Sequence, residues 1–120
     1  MGTASRSSAP PSFAFVPRAA RVAVSLTVVY RGRRAEPLLD TTEDLSLTGV
    51  FVHSDEPHTV GTEVVLALAL PDGPLEVEGR VVRVGVGRSG RVGMGIFFTR
   101  LAPAAKARLQ AVIDAALQRR

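Results

Sequence analysis

Asp44-Leu45-Ser46-Leu47-Thr48-Gly49-Val50-Phe51-Val52-His53 opens polar and ends apolar. Short polar side chains and a glycine mark a turn, and Val50-Phe51-Val52 has the β-branched and aromatic content of a strand. The stretch predicts a short strand over Gly49–His53, stopped by the turn formers Ser54-Asp55-Glu56-Pro57. On its other side, Leu38 to Leu45 reads as the preceding strand in spite of its polar content.

Upstream, Val22, Val24, Leu26, Val28 and Tyr30 alternate with Ala23, Ser25, Thr27 and Val29, the period of two that marks a half-buried strand. Arg31-Gly32-Arg33-Arg34 then reads as a turn. Downstream, Pro71-Asp72-Gly73 joins Glu63–Leu70 to Leu75–Val86 as a hairpin. The apolar phase slips near Val81-Val82, which predicts a bend or bulge. Gly87-Arg88-Ser89-Gly90 turns the chain into a last strand, Arg91 to Phe98. Pro103 suits the first turn of a helix, and Leu109, Val112, Ile113, Ala116 and Leu117 form one apolar stripe along it. That stripe packs on the sheet or pairs with another helix. Six short strands with tight turns indicate an antiparallel barrel or sandwich. Residues 1–16, rich in Ser, Ala and Pro, read as a flexible arm, with the domain proper at 17–120.

At 120 residues the chain fits one domain able to bury a core. It has no cysteine, which excludes disulfides and thiolate metal sites. Neither a bilayer-spanning apolar run, a signal peptide nor a myristoylation pattern is evident, so the expected location is cytoplasmic, without membrane insertion. The net charge is +4, carried almost wholly by arginine, with Lys106 the only lysine. Guanidinium forks suit phosphates and guanine edges, but a charge this small and dispersed is weak support for nucleic acid.

Asp44-x-Ser46-x-x-Gly49 matches the [DN]-x-S-x-x-G signature of PilZ domains and lies, as in that family, between the second and third strands. Arg21 ahead of Val22-Ala23-Val24, Val60-Gly61-Thr62 ahead of the fourth strand, and Gly93-Met94-Gly95-Ile96-Phe97-Phe98 ahead of the helix also resemble the family, over residues 17 to 118. The resemblance implies a mainly β fold, a six-stranded antiparallel PilZ-type β-barrel with a C-terminal α-helix. It further implies a non-enzymatic receptor or adaptor, with no cofactor, whose ligand is cyclic di-GMP bound at the barrel mouth by Arg18, Arg21, Asp44, Ser46 and Gly49. An unidentified protein partner, control of motility or surface polysaccharide, and a monomer or homodimer complete the expectation. One element departs: family members that bind the nucleotide resemble one another in an R-x-x-x-R ahead of the first strand. With Arg21 as its second arginine, Pro17 occupies the first place and Arg18 comes one residue late. The alternative is a PilZ domain that binds no cyclic di-GMP and acts only as a protein–protein interaction module.

The residue chemistry suits guanine. A rim aspartate accepts from the N–H donors of a Watson–Crick edge, and a serine two residues on shares its face. A glycine admits a flat ring close to the backbone and can take positive φ, while arginines fork onto guanine or phosphate. The same residues also suit a turn that merely satisfies its own backbone.

Other signals carry less. Gly85-Val86-Gly87-Arg88-Ser89-Gly90 spells G-x-G-x-x-G, yet a strand follows where a dinucleotide site needs a helix, so it reads as a hairpin turn. His53, Asp55, Glu56 and His58 lie in a turn-rich segment and read as rim residues, not metal ligands. No nucleophile elbow occurs, and aromatic residues make up only 5% of the chain, too few for a single-strand stacking platform. Adjacent Phe97 and Phe98 must point to opposite faces, so one of them leaves the core.

Overall fold

Alternating burial is the organising feature of a computed structural model that describes residues 20–32 and 36–119. The arm predicted over residues 1–16, together with Arg18 and the Arg33-Arg34 part of the predicted turn, lies outside the described residues. The strands are β1 (Val22–Ala23), β2 (Thr27–Gly32), β3 (Leu38–Leu45), β4 (Gly49–His53), β5 (Glu63–Leu70), β6 (Gly73–Val86) and β7 (Val92–Arg100). Helix α1 (Pro103–Gln118) follows. Neighbouring strands run β3-β2-β5-β6-β7-β4, and β4 pairs back onto β3, so β2–β7 close a six-stranded antiparallel barrel. Val28, Tyr30, Val50, Val52, Leu66, Leu68, Val81, Met94 and Ile96 fill its interior, one from every second position.

The single strand predicted from Arg21 to Tyr30 is two strands. Between them, Thr42 replaces regular pairing. Its hydroxyl donates to the Val24 carbonyl at 2.6 Å and accepts from the Leu26 N–H at 2.9 Å. The cause lies across the sheet, where the β3–β4 register shifts between Thr42 and Asp44 and leaves Glu43 as an extra residue. The second irregularity falls where the sequence placed it, with the β6–β7 register shifting between Val81 and Arg83.

Helix α1 spends its stripe on the barrel. Leu109, Ile113 and Ala116 join the barrel's own core cluster, with Val112 packed against it and Leu117 left partly exposed. Arg108 ties the helix to the β5–β6 turn through two hydrogen bonds to Asp72, at 2.8 and 3.1 Å. Among the described residues, no helix is long and apolar enough to cross a membrane.

Candidate ligand site

Two irregular strands meet on the barrel's flank. In a regular strand Glu43 and Asp44 would face opposite sides, but the bulge turns both toward one cavity of about 590 Å³. That volume is within the usual range for small-molecule sites. The cavity lies over the outer face of β4, β7 and β6, not at the mouth. Phe51 and Phe97, which line it, are out of phase with the core residues Val50, Val52, Ile96 and Phe98.

Glycines let the strands beneath the cavity approach closely. A Cβ on Gly49 would lie 2.3 Å from the Ile96 carbonyl oxygen, and one on Gly93 would lie 2.7 Å from the Phe51 ring. Gly49 is therefore required by the close approach of β4 to β7. Positive φ is not the reason, since among the described glycines it occurs at Gly61, Gly73 and Gly90. Phe51 lies flat enough to be nearly buried, and the Arg83 guanidinium covers it, 5.0 Å from the ring centroid.

Of the residues singled out in the sequence, Arg21, Asp44 and Gly49 line this cavity together. Arg21 and Asp44 face each other, with Nη1 to Oδ1 at 2.5 Å, and the pair also borders a second cavity of about 280 Å³. Ser46 is not on the cavity wall. Its buried hydroxyl accepts from the Thr48 and Gly49 N–H groups at 3.1 and 3.2 Å and meets the Thr48 hydroxyl at 3.0 Å. It staples the turn that carries Asp44. Arg18 lies outside the described residues.

Sequence reasoning passed over Glu43, Arg83, Arg88 and Phe97. Glu43 is the anchor of the far wall. Its carboxylate accepts from the Arg88 N–H at 2.6 Å, the Ser89 N–H at 3.2 Å and the Ser89 hydroxyl at 2.6 Å. It also meets His53 Nε2 at 3.0 Å. The Ser89 hydroxyl, then His53 and the two N–H groups, hold the Glu43 carboxyl down at about 2, against a desolvation that pushes the other way. The Gly87–Gly90 turn, dismissed as a dinucleotide loop, thus does cradle an anion, but that anion is the protein's own carboxylate. The signals that would have found these residues were the polar interruption of β3 and the phase slip in β6.

His53 is fully enclosed in this network, deeper than a rim residue. Its Nδ1 meets the Thr41 hydroxyl at 3.1 Å and Arg91 Nη1 at 3.3 Å. Arginine only donates, so Nδ1 accepts and the ring proton sits on Nε2, toward Glu43. Ser89 and Glu43 both reach the same ring nitrogen. A nucleophilic relay needs its serine and carboxylate on opposite nitrogens, so this trio holds the hairpin in place instead. No three His, Cys, Asp or Glu side chains converge as a metal site among the described residues.

The chain is thus a small closed β-barrel domain with a preformed pocket of arginines, acids and aromatic rings on its flank. The family model described as PilZ domain matches residues 16–115, most of the chain, and the chain belongs to that family. Solved structures agree on the fold. The Bacillus subtilis inhibitor of motility MotI/DgrA superposes with a TM-score of 0.74 at 21% identity, covering 87% of this chain and 53% of that one. The present chain thus spans about half of that structure. The PilZ domain of Escherichia coli YcgR, solved with c-di-GMP, gives a TM-score of 0.70 at 12% identity, covering 87% of this chain and 93% of that one. PlzA from Borreliella burgdorferi, also in complex with c-di-GMP, gives 0.62 at 13%, covering 82% and 41%. No curated protein matches the sequence.

Proposed function

We propose that this protein is a cyclic di-GMP receptor that relays the level of the second messenger to a protein partner in the cytoplasm, without chemistry of its own. The observation that carries the reading is the convergence of Arg21, Asp44 and Gly49 on one flank cavity, in a family with members solved in complex with c-di-GMP. Asp44 Oδ1 is taken by Arg21, while Oδ2 has no hydrogen-bond partner among the described residues. That oxygen is free to accept from the N–H donors of a guanine edge. Arg21 then keeps its place beside the carboxylate and offers its remaining N–H groups to phosphate. Control of motility or surface polysaccharide is the physiological reading that goes with such a receptor.

Isothermal titration with cyclic di-GMP tests this. Saturable micromolar binding that Asp44→Ala weakens tenfold or more is expected, since a lost charge-assisted bond costs about 1.5–3 kcal/mol. A folded wild-type protein that gives no heat would overturn the receptor reading. It would leave the interaction module, which Pro17 in place of a motif arginine favours.

A further inference from the structure

The charges around the cavity do not balance evenly. On the β3–β4 side Arg21 is matched by Asp44. Glu43 is matched by the N–H groups and hydroxyl of the hairpin turn. Arg83 and Arg88, on the β6 side, line the same cavity, and neither forms an ion pair among the described residues. Beside them, Phe97 is 51% exposed, a large apolar ring left open to solvent within a polar pocket.

Arg83 is also held in position. The β6 register shift sets it opposite Gly95, and its side chain runs between two glycines. A Cβ on Gly95 would sit 3.6 Å from the Arg83 Cβ, and one on Gly85 would sit 3.7 Å from Nη1. Its guanidinium sits over the Phe51 ring, which leaves its N–H groups for an anion or a base. A cation whose partner is an aromatic ring keeps its charge unspent, and an arginine held in place loses less entropy on binding.

We infer that Arg83, aided by Arg88, is the second cationic contact of this site and that Phe97 is a stacking face for a purine. Together they take over the work of the arginine that Pro17 replaces. The inference rests on the receptor reading and extends it to the opposite wall. It gives the ligand class a chemical outline. The occupant has a flat base on Phe97, a phosphate or base edge on Arg83, and N–H donors toward Asp44, as a purine nucleotide does.

The test is titration of the full chain with cyclic di-GMP in four variants. Arg83→Gln keeps a polar side chain and removes the guanidinium and its charge, and Phe97→Leu keeps an apolar side chain and removes the ring. Arg88→Gln probes the turn. Arg31→Gln removes an arginine that lines a different cavity and has no ion pair among the described residues. Arg83→Gln is expected to weaken binding about tenfold or more, Phe97→Leu about five- to a hundredfold, and Arg31→Gln not at all. Because the chain has no tryptophan, Phe97→Trp adds a single emitter that a stacked purine quenches. Quenching should saturate at the concentrations where heat does. Binding that is lost in Asp44→Ala but unchanged in Arg83→Gln and Phe97→Leu, with unaltered Phe97→Trp emission, would overturn this inference and leave the receptor reading standing. A wild-type protein that binds nothing would overturn both.

Discussion

Two turns flank the cavity, and they are held in opposite ways. The β3–β4 turn is stapled from within: the Ser46 hydroxyl and N–H bond to groups two and three residues on. The Gly87–Gly90 turn closes its own backbone, with the Gly90 N–H on the Gly87 carbonyl at 3.0 Å, but its side-chain anchor is distant, the Glu43 carboxylate 45 and 46 residues earlier in the chain. A local staple needs only its own six residues. A distant one requires β3 and β6 to be brought together by the barrel, and it fastens one wall of the cavity to the other. The first makes a rigid platform for Asp44; the second makes the position of Arg88 depend on the whole barrel.

Four substitutions and one control bear on this contrast. The largest effect belongs to Gly49→Ala, because its Cβ would meet the Ile96 carbonyl oxygen and force β4 from β7. Urea unfolding should show a loss of about 3 kcal/mol, against less than about 0.5 kcal/mol for Gly85→Ala, whose Cβ finds ordinary contact distances. Ser46→Ala comes next. It strands the Thr48 and Gly49 N–H groups, the latter buried, at about 2 kcal/mol by the same measurement. A melt identical to wild type would mean the local staple is dispensable.

Glu43→Gln should cost less, about 1 kcal/mol near neutral pH, since the carboxylate is partly open to solvent. Its pH dependence is the sharper readout. The folded carboxyl is lowered from 4.5 to about 2, so its contribution is complete above pH 4.5 and drains away as pH falls through about 2. Wild type and variant should therefore converge in stability on acidification, and a gap that persists at pH 2 would show that charge is not what holds the hairpin. Ser89→Ala, at an exposed hydroxyl, should cost about 0.5 kcal/mol and move the acid loss to higher pH, because that hydroxyl is the first of the groups holding the Glu43 carboxyl down.

The same contrast explains what could be read in the residues beforehand. The limits of β3, β4 and β5 and the slip in β6 were legible because alternation and turn chemistry are local properties. The break between β1 and β2 was not, because it is imposed by the Glu43 bulge on the neighbouring strand. Arg21, Asp44 and Gly49 could be picked out by resemblance. Arg83, Arg88 and Phe97 left fainter marks, a phase slip in β6 and one of two adjacent phenylalanines facing outward, because a side chain's access to a cavity depends on which strand lies opposite. Ser46, chosen for its chemistry toward a ligand, turns its hydroxyl on its own backbone in this structure.

Closure of the barrel reaches beyond the ligand. Because β4 pairs with β3 the ring closes, and the lateral edge that remains is short: the two residues of β1 and the end of β6 beyond Val81, which pairs with β7 alone. A second protein therefore finds only a short free ladder on which to add a strand, one of the ways sheets recruit extended peptides. Recognition then rests mainly on side chains and loops. A signal passed outward must therefore travel as a change in surface shape or charge, and the cavity rim, where Arg83, Arg88 and Phe97 stand exposed, is surface of that kind.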